Sequence, residues 1–274
     1  MIGKYFSLNG ELKPLKDAVV SVDNLAFVYG YGVYETLKVR HGLLYFPKLH
    51  AERLLLSAKT IGLSHEYSLA SIVKILNSFV GSVGEESFNL KMLLMGGSGK
   101  HDPDLYVFAL APKYVSDKEY RDGVAVVTYD GERIFPQAKT LNMLMSFIAY
   151  RKAHESKAHD ALLVDNLGCI REGTRTNFFF TDGKTIFTPP RAHVLEGVTK
   201  ITLTEALGRD IKIQERELKL SDVGKYKGFF LTSTSAKVLP ISSIDGKMFE
   251  IPSIVRETMK LYDEYLENYR QKNK

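Results

Sequence analysis

The chain has 274 residues, of which 45% are hydrophobic and 25% charged, so a disordered or fibrous protein is excluded and one large or two smaller globular domains are expected. The net charge of +5 comes from Lys and Arg that are spread along the chain rather than gathered into a block, so nucleic-acid binding is not indicated. The single cysteine, Cys169, excludes an intrachain disulfide and fits a protein of the reducing cytoplasm.

Several common motifs do not occur in the sequence. The first residues lack the apolar stretch of a secretory signal, and no apolar run approaches the roughly 18 residues of a membrane span. The seven histidines form no HExxH pattern, so no metal is expected. The string GGSGK at 96–100 resembles a phosphate loop, but Leu94 and His101 stand where that motif needs Gly and Ser or Thr, so a hairpin turn is predicted.

In the first third of the chain, predicted strands and helices alternate. Asn9-Gly10 and His41-Gly42 are typical of turns, and Pro47 suits the first turn of a helix that apolar residues continue at helical spacing. The predicted elements are strands at 5–8, 33–40, 43–46, 90–95 and 105–111, and helices at 47–61 and 68–79. Residues 1–112 are expected to form a small N-terminal domain.

The polar residues 113–122 have no apolar period, and we interpret them as an interdomain linker. Residues 123–274 are expected to form a large C-terminal domain. Its predicted elements are strands at 124–129, 160–165, 169–172, 178–180, 185–188, 211–218 and 228–231, and helices at 141–154, 199–207 and 254–269. The fold class is therefore α+β.

Some residues could carry chemistry, although each has a plainer explanation. Lys139 precedes an apolar predicted helix, where it is either a desolvated, nucleophilic amine or a surface lysine. Glu172 ends a predicted strand, where its carboxylate either pairs with a protonated ring nitrogen or faces water. Gly197-Val198-Thr199 opens a predicted helix, and free N–H groups there suit a phosphate monoester, although every helix has such an end.

Two further features of the sequence each allow two interpretations. The hydroxyl-rich stretch 232–236 follows an apolar predicted strand and is either a ligand-binding segment or a plain turn. Arg53 lies in the first predicted helix, where it is either an anion ligand or an exposed arginine.

Taken together and in order, these pieces resemble the fold type IV pyridoxal-phosphate enzymes, which include D-amino-acid aminotransferases, branched-chain aminotransferases and aminodeoxychorismate lyases. The matching strings are YGYGVYE at 29–35, HxxRLxxSA at 50–58, KTLN at 139–142, EGxxxN at 172–177, GVT at 197–199, and 232–236 followed by Pro240 and DG at 245–246. The resemblance implies a small α/β domain, a larger domain built around a barrel-like sheet, pyridoxal 5'-phosphate as cofactor, and a homodimer.

The resemblance also implies residue roles. Lys139 would hold the cofactor as a Schiff base and shuttle the substrate proton, and Glu172 would pair with the pyridine nitrogen. The residues implied in holding the phosphate or the rest of the cofactor are Arg53, Asn177, Val198, Thr199 and Thr234. Those implied in lining the substrate pocket are Tyr34 and Ser235.

Departures from the family patterns concern the substrate. The D-amino-acid branch holds the α-carboxylate with an arginine and a histidine after the third small-domain strand, where this chain has GGS at 96–98. Arg175 and Lys237 stand where relatives often have a small residue and a glutamate, so either could supply the missing cation.

We therefore expect a divergent D-amino-acid aminotransferase that transfers the amino group to a 2-keto acid such as 2-oxoglutarate or pyruvate. The alternatives are a branched-chain L-amino-acid aminotransferase, an aminodeoxychorismate lyase and a non-catalytic binding protein of the same fold. The retention of Lys139, Glu172 and Arg53 together argues against the last of these, because a binding module needs no proton-shuttling lysine.

Overall fold

The computed structural model describes residues 1–96, 103–208 and 211–273, and contacts divide the chain into two units. The first unit comprises Met1–Lys113 with Ala138–Asn142, and the second comprises Tyr114–Gln137 with Met143–Lys274. The short segment Ala138–Asn142, which we had expected in the second domain, thus has its contacts in the first unit.

An antiparallel sheet forms the first unit, with strands in the order β2-β1-β6-β5-β3-β4. Its strands are β1 (Ile2–Leu8), β2 (Glu11–Pro14), β3 (Gly32–Arg40), β4 (Leu43–Leu44), β5 (Phe88–Met95) and β6 (Asp104–Leu110). Its helices are α1 (Leu25–Tyr29), α2 (Pro47–Thr60) and α3 (Leu69–Val83). The predicted turn at Asn9-Gly10 joins β1 to β2, since Leu8 pairs with Glu11.

The core of the first unit lies between one face of the sheet and the helices α2 and α3. Pro47 begins α2, and Ser68 caps α3 by accepting a hydrogen bond from the amide of Ser71. Val33 and Leu37 of β3 point into this core, and because side chains alternate along a strand, Tyr34 belongs to the opposite face of the sheet.

The second unit is built around a barrel. Among the described residues, β9-β10-β13-β14-β7-β8 close into a ring, because β9 pairs with both β8 and β10. The strands are β7 (Val124–Asp130), β8 (Asp160–Val164), β9 (Ile170–Gly173), β10 (Asn177–Thr181), β11 (Ile186–Thr188), β12 (Ile213–Glu215), β13 (Gly228–Ser233), β14 (Lys237–Ile244) and β15 (Lys247–Met248). The helices are α4 (Asp117–Asp122), α5 (Leu144–Glu155), α6 (Val198–Leu207) and α7 (Ser253–Lys272). The barrel-like sheet expected from the sequence is confirmed.

Successive side chains of β10 and β13 point to opposite faces of the sheet, so the two strands contribute to two separate apolar layers. Phe178 and Phe229 belong to one apolar core and stack at 6.0 Å between ring centroids. Phe179 and Phe230 lie on the opposite face and stack on each other at 4.7 Å. Among the described helices of both units, none has the length and apolar character of a membrane span.

Several elements differ from the sequence expectation, and three of them have a clear physical reason. Helix α5 begins at Leu144 rather than at residue 141, because residues 140 and 141 bond to the backbone of β3 instead. Strand β14 is absent from the predicted elements, and it contains Pro240, a residue that is atypical of strand interiors. The expected linker contains α4, whose capping box joins Ser116 to Glu119, a signature that the sequence does carry.

Candidate active site

Lys139 is held in the first unit by its main chain. Its amide donates to Oγ of Ser57 on α2 at 3.0 Å, and its carbonyl accepts from the amide of Tyr34 on β3 at 2.9 Å. The neighbouring Thr140 forms an antiparallel bridge with Val33. Lys139 therefore follows β3 like a short additional strand, so its backbone is fixed while its side chain is only half-buried.

The side chain of Lys139 meets Tyr34. The ammonium Nζ lies 4.6 Å from the centre of the Tyr34 ring, which is itself 8% exposed. Lys91 of β5, for which the sequence alone indicates no role, places its Nζ 5.0 Å from the same ring. The sheet face opposite α2 and α3 thus presents a tyrosine with two lysine ammonium groups near its ring.

A buried ionic network lies on the helix side of β3. Oε1 and Oε2 of Glu35 accept from Nε and Nη2 of Arg53 at 2.6 and 2.8 Å, and Oε2 lies 2.7 Å from Nδ1 of His50. Burial acts to raise the pKa of Glu35, but the Arg53 and His50 side chains outweigh it and hold that pKa well below its ordinary value. Burial lowers the pKa of His50, and Glu35 opposes this shift.

Glu172, at the end of β9, is held within the second unit. Its Oε1 accepts from Nε of Arg133 at 2.8 Å, and its Oε2 accepts from the backbone amide of Leu195 at 3.3 Å. Asn177, the register partner of Glu172 on β10, donates from Nδ2 to the carbonyl of Leu195 at 2.7 Å. Glu172 and Asn177 therefore fix the loop that leads into α6.

The start of α6 could receive an anion. The helix begins after Gly197, and the first amides of a helix, here those of Val198 and Thr199, have no acceptor within the helix. Within the described chain, no side-chain cap accepts a hydrogen bond at this N-terminus. A β-carbon on Gly197 would overlap Oδ1 of Asn177, so a larger residue at this position would displace the Asn177 side chain.

Two buried polar atoms lie near this helix start. Nζ of Lys200 and Oγ1 of Thr232 have no hydrogen-bond partner among the described residues. Thr232 is the register partner of Asn177, and Lys200 lies in the first turn of α6. Uncapped amides beside unsatisfied donors fit the three acceptor oxygens of a phosphate monoester.

The other expected site residues also lie in the second unit. Thr234 and Ser235 form the half-buried turn between β13 and β14. Arg175 is exposed, and its guanidinium carbon lies 3.7 Å from the ring centre of Tyr150 on α5. Lys237 forms an ion pair with Asp263 at 2.6 Å.

Most of the stretch 96–100, for which a hairpin turn is predicted, lies outside the described residues. Of the stretch 96–98, where the D-amino-acid branch carries its carboxylate trap, only Gly96 lies inside the described residues.

Comparison with known proteins identifies the family. The model of the amino-transferase class IV family matches residues 32–244, which is most of the chain. The chain therefore belongs to the class IV aminotransferases, which are pyridoxal-phosphate-dependent enzymes that act on amino acids and keto acids. The resemblance argued from the sequence strings is confirmed, as is the expected cofactor.

The relatives carry two kinds of name. The D-alanine aminotransferase of Bacillus licheniformis is 27% identical over 252 residues, covering 87% of this chain and 88% of that protein. A protein of Methanocaldococcus jannaschii named as a branched-chain-amino-acid aminotransferase is 26% identical over 274 residues, covering 94% of each chain. The names of these relatives do not separate the two substrate classes.

Solved structures share the architecture. A hypothetical aminotransferase from Mycobacterium tuberculosis in its pyridoxal-phosphate-bound form superposes with a TM-score of 0.84 at 25% identity, covering 95% of this chain and 98% of that one. The branched-chain aminotransferase of Escherichia coli superposes with a TM-score of 0.86 at 21% identity, covering 94% and 93%, and so shares the fold.

Some residues of these networks were missed by sequence reasoning. The spacing HxxR places His50 and Arg53 on one face of α2, and a buried acid opposite them could have been sought at Glu35. No comparable signal marks Arg133 as the partner of Glu172, because 39 residues separate them along the chain.

Proposed function

We propose that Lys139 is the lysine to which the cofactor is covalently attached and that its amine moves the proton of the substrate Cα. The observation that carries this proposal is the fixed backbone of Lys139, bonded on one side to Ser57 and on the other to Tyr34. When bound, pyridoxal phosphate supplies a conjugated ring that takes up the electron pair left on Cα. A lysine that exchanges protons needs a fixed main chain so that its amine is held within reach of the reacting atoms. The main chain of Lys139 is fixed in this way, and its side chain is half-buried.

The attachment can be tested directly. Purified protein should absorb in the visible region, and borohydride should bleach this absorbance while fixing the cofactor irreversibly on Lys139, as peptide mapping would reveal. Lys139→Ala should bind cofactor without forming the bond. A label on Lys91 or on another lysine would overturn the assignment.

We further propose that the phosphate is bound by the amides of Val198 and Thr199 together with Thr234 and Arg53. The uncapped start of α6 supports the first two, and the turn after β13 supports Thr234. Arg53 brings a guanidinium that Glu35 already orients.

Glu172 is proposed to bind the pyridine nitrogen, with Asn177 bracing the loop beside it. The carboxylate has hydrogen-bond partners from the protein at both oxygens, so its orientation is set by the chain. A carboxylate at the ring nitrogen keeps that nitrogen protonated, which strengthens the electron sink.

We propose D-amino acids as the substrate class, with Arg175 binding the α-carboxylate and with Tyr34 and Ser235 lining the pocket. Support comes from the likeness to a D-alanine aminotransferase and from the exposed guanidinium three residues beyond Glu172. Lys237 suits this role less well, because Asp263 already engages its ammonium.

The second candidate is a branched-chain L-amino-acid aminotransferase, which is favoured by the likeness to the Methanocaldococcus jannaschii protein. A screen of paired D- and L-amino acids against 2-oxoglutarate and pyruvate separates the candidates. D-alanine turnover well above that of L-leucine and L-valine supports the first, and the reverse ratio replaces it with the second.

A homodimer is proposed as the assembly. Helix α1 exposes Leu25, Phe27 and Val28 at 65%, 54% and 58%, which is unusual for one short apolar helix. A second copy of this chain would cover these residues. Light scattering should give twice the chain mass for the unmodified protein and the monomer mass for Phe27→Asp, while Leu12→Asp on the edge strand β2 should remain a dimer.

A further inference from the structure

Lys200 is a buried cation with unsatisfied hydrogen-bonding capacity. The residue is 6% exposed, and its Nζ has no hydrogen-bond partner within the described part of the chain. An ammonium group can donate three hydrogen bonds, and burying one without partners is costly. A sequence that keeps a lysine here, where methionine would fill the same space, therefore calls for an explanation.

The nearby carboxylate of Glu196 does not accept a hydrogen bond from the Lys200 ammonium. Oε1 of Glu196 lies 3.7 Å from Nζ, which exceeds hydrogen-bond length. Glu196 is 36% exposed and lies equally far, at 3.7 Å, from Nε of Arg191. This carboxylate is thus shared between two cations and partly screened by solvent.

The position of Lys200 points its side chain toward the anion site. In a helix, side chains lean toward the N-terminus, so the stem of Lys200 runs back toward the start of α6. Its Cβ lies 3.6 Å from the point that a β-carbon on Gly197 would occupy, the same point that Oδ1 of Asn177 borders. A second unsatisfied donor, Oγ1 of Thr232, belongs to the strand paired with Asn177.

We propose that Lys200 is an anion-binding residue whose ammonium stabilises the dianionic phosphate monoester at the start of α6. This inference rests on the proposed function, in which the amides of Val198 and Thr199 bind the same group. Helix amides supply dipoles, whereas Lys200 supplies a full positive charge in a site of low dielectric. The cation would therefore discriminate between phosphorylated and unphosphorylated forms of the same ring.

The test compares two ligands on the full-length chain freed of cofactor. Pyridoxal phosphate and pyridoxal share the ring and aldehyde and differ in the phosphate. Lys200→Met should weaken pyridoxal-phosphate binding roughly tenfold to a hundredfold and leave pyridoxal binding unchanged. Inorganic phosphate should compete with pyridoxal phosphate on the unmodified protein and much less on this variant.

Two variants serve as controls. Lys260→Met removes an equal charge from α7, where the side chain is 76% exposed, and should change neither affinity. Lys200→Arg retains the charge and should keep most of the preference for the phosphorylated ligand. If Lys200→Met does not fold, Lys200→Gln, which keeps a polar donor without charge, takes its place.

Several outcomes would overturn the proposal. Equal losses for both ligands would mean that Lys200 supports the fold only. Unchanged pyridoxal-phosphate affinity, together with equal losses of thermal stability in Lys200→Met and Glu196→Gln, would mean that it serves only the ion pair. Failure of the proposed function is seen separately, as missing borohydride labelling of Lys139 in the unmodified protein.

Discussion

Arg133 donates a hydrogen bond from Nε to Oε1 of Glu172 across 2.8 Å, and both side chains are largely buried. A second nitrogen of Arg133 donates to the carbonyl of Pro136, so the guanidinium is held at two points. The carboxylate is therefore oriented by a cation that is itself fixed, which is the arrangement expected of a group that must meet a ring nitrogen at a defined angle.

From this pair we predict a loss of rate without a loss of cofactor. Glu172→Gln should keep the cofactor bound and slow turnover roughly tenfold to a hundredfold, because the ring nitrogen loses its anionic partner. Arg133→Gln should act in the same direction and more weakly, with Arg133→Lys between it and the unmodified protein. Cofactor content and single-turnover rates measure the two effects, and cofactor loss from Glu172→Gln would contradict the division of roles.

Arg53 is predicted to act on both stability and cofactor retention. Arg53→Ala leaves Glu35 buried without its cation, which should cost about 3–5 kcal/mol of unfolding free energy. The same change should weaken cofactor retention. In the double variant Glu35→Gln with Arg53→Met, stability should recover because the uncompensated charge is gone, while cofactor affinity should stay low. Recovery of both would mean that Arg53 acts only through the fold.

The fold was largely predictable from local signals, whereas the placement of the site residues was not. Asn9-Gly10, Pro47 and Ser68 mark their turn and helix starts through their own backbone preferences. Lys139 precedes a helix, as the sequence indicates, but this helix begins only at Leu144. The segment before the helix lies against β3 through the bridge between Thr140 and Val33, which are more than 100 residues apart in the sequence. Such pairings depend on the tertiary fold rather than on local propensity.

The hydrogen-bond partners of the site residues could not be predicted either, because these contacts also join residues that are far apart in the sequence. The string containing Glu172 was recognisable, but nothing near it in sequence indicated Arg133. The sequence gives no sign that Lys200 is buried. Helical periodicity does not distinguish a lysine whose side chain is buried from one whose side chain is in solvent.

The network of Glu35 and His50 predicts sensitivity to acid. The pKa of His50 is lowered from its ordinary 6.5, chiefly by burial, so below about pH 6.5 the unfolded chain takes up a proton that folded His50 does not. Glu35, whose pKa is also lowered, adds the same effect below its ordinary 4.5. The contribution of His50 and Glu35 to the free energy of unfolding is therefore fully present above pH 6.5 and is lost progressively as the pH falls below it.

Denaturant unfolding at pH 8, 6 and 5 measures this loss. His50→Gln should flatten the change between pH 6.5 and 5, whereas the control His193→Gln, at an exposed position, should not. If the pH dependence of His50→Gln matches that of the unmodified protein, the acid response arises elsewhere.

The proposed preference for D-amino acids depends on Arg175. The residues on both sides of Arg175 are bonded to one buried carboxylate. Asp160 accepts hydrogen bonds from the hydroxyls of Thr174 and Thr176. The guanidinium of Arg175 lies over the ring of Tyr150. Arg175 is therefore a cation whose backbone is held by its neighbours and whose guanidinium contacts an aromatic ring.

A planar, pre-oriented guanidinium can bind a carboxylate through two parallel hydrogen bonds, and orienting the substrate in this way contributes to the rate of proton removal at Cα. Arg175→Ala should therefore raise KM for D-amino acids and keto acids roughly tenfold to a hundredfold while leaving primary amines without a carboxylate nearly unaffected. Tyr150→Leu should raise KM by a smaller factor, because the cation remains but loses its support. Arg151→Ala removes a neighbouring exposed cation on α5 and should have no effect. Unchanged kinetics of Arg175→Ala on amino acids would remove this role and, with it, the main structural ground for placing D-amino acids ahead of branched-chain L-amino acids.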